Sequence, residues 1–273
     1  AQRPPVALAA IVIVETLSQG CDGGALEIRV EGRIDLKPTL EGGFAADECD
    51  RFINYMLDLQ AGRTTIEGYA PRGPDDWDRL ISRALHHPLG LSWMIDPRLR
   101  VPLRTFLGEE PDGVQSMYLF KGSEQRRHQD AYHLPGCMSA WVALQKVGAH
   151  NGTIHVQVGS HAGSLLEKKD FREDEHRDRG AWHGWDPEDA FDALFERNGL
   201  PEIAVEADKG DIVFFDGRII HRGGPILEAG SFRHSWVGHY IPRSFNPWPY
   251  EAAPRLRVSF DGVCRFTPTH EAA

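Results

Sequence analysis

His128 and Asp130 stand two residues apart in the stretch RRHQDAYHLP, beside Arg126, Arg127 and a third imidazole, His133. Imidazole nitrogens and carboxylate oxygens both bind divalent metals, and on an extended strand alternate side chains share one face. A single H-x-D is common by chance, and two later features give it company. In GDIVFFDGRIIHRGG an apolar run passes an Asp216-Gly217 turn to His221, followed by two glycines where backbone can approach a ligand closely. Arg233 then heads the run HSWVGHYI, rich in bulky apolar residues. Its planar guanidinium suits a two-point grip on a carboxylate, with snorkelling to solvent as the alternative. Two imidazoles and one carboxylate can cap one face of Fe(II) and leave the other face open to small ligands.

Those residues need rigid elements to hold them. From residue 113 the chain reads as short β segments punctuated by Gly, Pro and Asn: GVQSMYLFKG, CMSAWVALQKV, GTIHVQVGS, GDIVFFDGRIIHRGG and RHSWVGHYI. Their Val, Ile, Phe, Tyr and Trp content predicts strands, and their regular spacing predicts a two-sheet antiparallel sandwich. Ahead of them, AADECDRFINYMLDLQ predicts a helix with Asp47 as N-cap and Phe52, Ile53, Met56, Leu57 and Leu59 at helical spacing. PDDWDRLISRALHH predicts a second, with Trp77, Leu80, Ile81 and Leu85 on one side. These helices are expected to pack outside one sheet. The apolar run Val6 to Val14 is expected in the core.

A segment of about residues 164–201 interrupts the β pattern. Its first part, EKKDFREDEHRDRG, is densely charged, and its second, DPEDAFDALFERNG, reads as a capped helix. Trp182, His183 and Trp185 lie between them, and large aromatics in a charged segment need a surface to pack on. A lid over the site is one reading and a structural hinge helix the other. The expected organisation is a single domain over 1–273, with a helical N-terminal part to about residue 110 and a lid-like insertion.

Composition narrows the partners. Thirty Lys and Arg against forty Asp and Glu give a formal charge of −10, with no concentrated basic stripe. Nucleic acid and anionic membrane are therefore not expected as partners. Four dispersed cysteines, Cys21, Cys49, Cys137 and Cys264, form no C-x-x-C pair and fit a reduced cytoplasm. A small molecule is the expected substrate, and a cytoplasmic location the default.

The order H-x-D, distal His, then Arg, together with VQSMYLFKGSEQRRHQD, SAWVAL, NGTIHVQVGSHAGS and FRHSWVGHY, resembles successive blocks of the phytanoyl-CoA dioxygenase family. The resemblance covers roughly residues 113–164 and 201–241; the N-terminal third and the insertion fall outside it. It implies a mainly β fold with flanking helices, a double-stranded β-helix (jelly roll, cupin-like barrel). It implies Fe(II) on His128, Asp130 and His221, with 2-oxoglutarate and O2 as co-substrates. Arg233 would then hold the far carboxylate of 2-oxoglutarate and Trp141 would lie against it, with Gln115 and Met117 lining the same pocket. There are two departures. Arg233 follows His221 by one residue more than the family spacing, and a turn proline is replaced in Val158-Gly159-Ser160-His161. Neither touches a ligand.

The implied reaction couples oxidative decarboxylation of 2-oxoglutarate to hydroxylation, desaturation or ring closure of a second substrate. Halogenation is disfavoured, since Asp130 fills the position a halide needs. Arg127, His133, Trp182 and Trp185 are candidate substrate contacts. Abundant Arg, Gly, Asp and Ala fit a high-GC bacterial source, where such oxygenases tailor antibiotics, and the Trp, His, Asp and Arg residues around the blocks suit a polar or sugar-bearing molecule. The rival reading is a non-catalytic or zinc-dependent cupin that binds or isomerises a metabolite. Such a site is typically built from three His and has no need of Arg233. His133, His150, His155, His161, His234 and His239 read as structural or pocket-wall imidazoles, and Asp216 as a turn former.

Overall fold

In the computed structural model the described residues are 11–14, 28–29, 43–66, 79–81, 87–120, 125–171, 184–245, 256–262 and 264–266. Its elements run β1 (Ile11–Val14), β2 (Ile28–Arg29), α1 (Ala46–Gln60), β3 (Arg79–Ile81), α2 (Pro88–Met94), α3 (Pro97–Leu107) and β4 (Pro111–Leu119). They continue with β5 (Met138–Ala143), β6 (Ile154–Gln157), α4 (Pro187–Asn198), β7 (Glu202–Ala204) and β8 (Ile212–Asp216). Last come β9 (His221–Gly223), β10 (Ser235–Pro242), β11 (Leu256–Ser259) and β12 (Cys264–Phe266).

Two antiparallel sheets are built from these strands. The larger has the order β12-β11-β4-β10-β5-β8-β1-β2, with β3 also paired to β4; the smaller is β7-β6-β9. Side chains alternate across β5, β8 and β10 as the pleat requires. Trp141, Val213, Phe215 and Val237 point inward and meet Ile154, Val156 and Val205 from around the small sheet. Their neighbours Ala140, Val142, Phe214 and Trp236 point outward and are covered by Phe52, Trp93, Met94 and Leu103. The helices thus lie outside the large sheet, as the apolar patterns predicted. Truncating a buried aromatic such as Phe52 to Ala there costs about 3–5 kcal/mol.

Local sequence explains where the helices begin. Asp96 accepts from Arg98 N at 3.0 Å, and Pro97 opens α3 with its φ preset; Gly108 closes it at φ 75°. The start of α1 corrects the expectation of an Asp47 cap. Ala45 is the N-cap, and Glu48 reaches back to accept from its N–H at 2.7 Å. A larger correction concerns Arg79 to Ile81, which form β3 against β4 rather than a helix. The rest of that stretch, 74–78 and 82–86, lies outside the described residues, as does most of the Val6 to Val14 run ahead of β1.

The turn expected at Asp216-Gly217 is present, and it links the two sheets. β8 belongs to the large sheet and β9 to the small one, so the turn carries the chain from one sheet to the other. Asp216 Oδ1 accepts from Arg218 N at 2.8 Å and shapes that turn. Gly217 is pressed against a neighbouring turn. A Cβ there would collide with Cys137 Sγ and lie 2.9 Å from the Cys137 carbonyl.

Candidate metal centre

His128 and His221 are held together by main chain. Each backbone N–H donates to the other's carbonyl at 3.0 Å, an isolated antiparallel bridge between the H-x-D segment and β9. Their rings lie 4.2 Å apart. His128 Nδ1 donates to Arg126 O at 2.8 Å and His221 Nδ1 to Ile219 O at 3.2 Å. With Nδ1 carrying the proton in both rings, each Nε2 presents its lone pair.

Asp130 does not continue that extended segment. It opens a short 3-10 turn, Asp130–Tyr132, which swings its carboxylate toward both imidazoles. Asp130 Oδ1 is 3.6 Å from His128 Nε2 and 3.6 Å from His221 Nε2. One donor atom from each of the three residues therefore lies within 4.8 Å of the other two. Burial pushes the Asp130 carboxyl up, but His221, His239 and His128 around it outweigh this and hold it well below the ordinary carboxylate range. Burial, and then His128, pull His221 down to about 4, so its ring is neutral and ligand-ready at neutral pH.

The residue between the ligands fixes the turn. Gln129 is fully buried. Its amide donates to Ser164 O at 3.0 Å and to Arg218 O at 2.6 Å, and its oxygen accepts from Leu166 N at 3.0 Å. One side chain thus ties the H-x-D segment to the loop before His221 and to the start of the 164–201 segment.

A cavity beside the three ligands is lined by Met117, Trp141, Phe215, Arg222, Arg233 and His239, among others. Arg233 is only 1% exposed, and its Nε and Nη1 have no hydrogen-bond partner among the described residues. Burial pulls its pKa down from 12.5 to about 10. A buried, uncompensated guanidinium is costly unless an anion completes it. The indole N–H of Trp141, in the same lining, is likewise unpartnered and buried. Both orphaned donors fit an oxo-diacid, and the N, N, O donor set with an open side fits Fe(II).

The other expected contacts are more scattered. Met117 lines the cavity, whereas Gln115 sits on β4 opposite His239 and is not among the lining residues. His133 is exposed beyond the 3-10 turn. Arg127 stands over the Phe195 ring at 3.8 Å and pairs with Asp192 at 3.0 Å, on the wall of an outer vestibule. Trp185 is 50% exposed just ahead of α4, and Trp182 and His183 lie outside the described residues. The sequence reading passed over Ser139, Gln129 and the role of His239. Alternation along β10 puts His239 on the inward face with Val237, but its target, Asp130, comes from another segment.

A two-His, one-carboxylate set beside an uncompensated buried arginine is the constellation of the mononuclear iron oxygenases that use an oxo-acid. Residues 39–235 match the phytanoyl-CoA dioxygenase (PhyH) family, and the chain belongs to it. The match takes in α1 to α3 and the 164–201 segment, beyond the blocks legible by eye. The family is one of Fe(II)/2-oxoglutarate dioxygenases, and His128, Asp130 and His221 form its His-Asp-His triad here. Phytanoyl-CoA dioxygenase 1 of Oryza sativa subsp. japonica is 31% identical over 149 residues, 51% of this chain and 48% of that protein. The chain thus spans about half the length of that relative. Two solved structures share the fold. EctD from S. alaskensis with 2-oxoglutarate and 5-hydroxyectoine has a TM-score of 0.55 at 20% identity, covering 75% of each chain. The epimerase SnoN with Fe3+, alpha ketoglutarate and nogalamycin RO has a TM-score of 0.54 at 18% identity, covering 76% of this chain and 80% of that one.

Proposed function

We propose that this protein is an Fe(II)- and 2-oxoglutarate-dependent oxygenase, built on a double-stranded β-helix, that hydroxylates or oxidatively cyclises a small polar molecule. The observation that carries this reading is Arg233, buried to 1% and, among the described residues, unpartnered at Nε and Nη1 in the cavity that also holds the triad. His128, Asp130 and His221 would hold the iron, and Arg233 the distal carboxylate of 2-oxoglutarate. Bound iron would activate O2, the oxidant; two of its four oxidising equivalents would go to 2-oxoglutarate, giving succinate and CO2, and two to the second substrate. The chain's own part is placement. Trp141, Phe215 and Val237 give the inner cavity apolar walls, and the main-chain bridge keeps both imidazoles aimed at one point.

The polar substrate is supported by the space outside. A vestibule of about 270 Å³ shares Gln125, Arg222 and Gly223 with the inner cavity and is otherwise lined by Arg126, Arg127, Asp192 and Pro225. Its charges are paired, Arg127 with Asp192 within the lining and Arg222 with Glu202 outside it, so it offers hydrogen bonds of both senses and little greasy surface. The epimerase of nogalamycin biosynthesis among the fold neighbours supports natural-product tailoring as the setting. The test is succinate formation from 2-oxoglutarate with Fe(II) and O2, screened against glycosylated and zwitterionic metabolites. Substrate-stimulated succinate with a matching product mass gain or loss is expected. No succinate under any condition from iron-loaded protein would contradict the activity.

A further inference from the structure

Asp130 has two carboxylate oxygens, and the structure treats them differently. Oδ1 faces the two ligand imidazoles, 3.6 Å from each Nε2. Oδ2 faces the opposite way, into two buried donors. Ser139 Oγ donates to it at 2.8 Å, and His239 Nε2 lies 3.3 Å from it. Both residues are essentially inaccessible, Ser139 at 0% and His239 at 1% exposed. They are also direct cross-strand partners: in the pairing of β10 with β5, His239 stands opposite Ser139. Two neighbouring strands of the large sheet thus present two side chains side by side to one oxygen atom.

The alternation of β10 makes this placement non-accidental. Val237 and His239 share its inward face, and Arg233 joins the same cavity lining from just before the strand. Trp236 and Tyr240 point to the outer core instead. The carboxylate can only accept, so the hydrogen between His239 and Asp130 belongs to Nε2. His239 Nδ1 is buried with no partner among the described residues, so Asp130 is the polar contact that this imidazole makes. A fully buried imidazole with one satisfied nitrogen is an expensive way to fill core volume, which an apolar residue would fill without that cost.

We propose that Ser139 and His239 are positioning residues that clamp Asp130 Oδ2, so that Asp130 offers one oxygen to the metal and a coordination position stays free for the reacting ligands. This rests on the iron-site reading above. A carboxylate with both oxygens free can turn and bind through two of them, closing a position that the oxo-acid or O2 requires. With Oδ2 held by Ser139 and facing His239, turning the carboxylate means breaking a buried hydrogen bond and drawing away from that imidazole.

The test uses the full-length protein, with anaerobic Fe(II) titration followed by 2-oxoglutarate and the visible absorption of the chelate as the readout. His239→Leu removes the donor at similar volume, and His239→Gln keeps an N–H donor. In His239→Leu the dissociation constant for Fe(II) is expected to change by roughly ten- to a hundredfold, the scale of outer-shell substitutions. The chelate band is expected to shift and succinate to be formed in excess over product, while His239→Gln returns all three toward wild type. A folded His239→Leu protein with wild-type Fe(II) affinity and an unmoved band overturns the clamp. If that variant does not fold, Ser139→Ala decides the same question, because it removes a single hydroxyl; a wild-type band and coupling ratio there overturn the proposal. Wild-type protein that takes up no Fe(II) at all would instead remove the site reading itself, and the clamp with it.

Discussion

His128 and His221 are each other's main-chain partners, each N–H donating to the other's carbonyl at 3.0 Å. Two ligands distant in sequence are thereby set by backbone geometry, before any metal arrives. The triad should therefore be dispensable for folding and indispensable for iron. His128→Ala, Asp130→Ala and His221→Ala are each expected to keep the wild-type far-ultraviolet spectrum while losing stoichiometric iron on anaerobic reconstitution. Full iron content in any of them would exclude that residue as a ligand.

Arg233 separates function from stability. Arg233→Gln should raise the apparent KM for 2-oxoglutarate by at least about 30-fold, because losing one partner of a buried charge pair costs on the order of 2–5 kcal/mol. The KM for the second substrate should move far less. In the metal-free protein, Arg233→Leu should melt no lower than wild type, since the cation it removes is buried and lacks partners at Nε and Nη1 among the described residues. An unchanged oxoglutarate dependence would show that this guanidinium serves another anion.

Much of this site was legible because metal chemistry admits few residue types. His128, Asp130 and His221 stood out by type and order, and β5, β8 and β10 by their runs of β-branched and aromatic residues. What was not legible depends on partners far along the chain. Leu80 and Ile81 have helical spacing with Trp77 and Leu85, yet the edge of β4 recruits Arg79 to Ile81 as a strand. His239 shows the same limit, since periodicity gives its face but not the carboxylate waiting there. The α1 cap was missed because Ala45 has no capping side chain, and Glu48 supplies the acceptor three residues later.

Acid should weaken the metal-free protein through His221. Its pKa is lowered from 6.5 to about 4 by burial and by His128, so between these values the unfolded chain binds the additional proton. The stability contributed by the neutral ring is full above about pH 6.5 and is lost as pH falls toward about 4. Asp130, held well below its ordinary value of 3.8, adds a further loss only at pH below that value. Together with the about 1.4 kcal/mol carried by each pKa unit, His221 alone accounts for on the order of 3 kcal/mol. Urea unfolding across this range should show the decline in wild type and a shallower one in His221→Gln. Parallel profiles would remove His221 as the cause.

The helix α4 is attached to the ligand-bearing segment by charge as well as by Ala190, Phe191 and Leu194. Arg126 meets Glu188 and Asp189 at 2.9 Å and Asp192 at 2.8 Å, and Arg127 meets Asp192 at 3.0 Å. Asp192→Asn weakens both arginines at once. Amide exchange within α4 should accelerate in that variant, and also in wild type in about 1 M salt, where screening acts over about 3 Å. Exchange unchanged in both would mean that the apolar face alone holds α4.

The central claim is that one cavity binds Fe(II) through His128, Asp130 and His221, and 2-oxoglutarate beside it against Arg233. Anaerobic addition of Fe(II) and then 2-oxoglutarate, followed by visible absorption, tests it most directly. The account predicts a weak charge-transfer band that needs both additions, saturates at one equivalent of each, is absent in Asp130→Ala and requires far more 2-oxoglutarate in Arg233→Gln. Iron-loaded wild-type protein that gives no band at saturating 2-oxoglutarate, or a band that survives unchanged in Asp130→Ala, would contradict it.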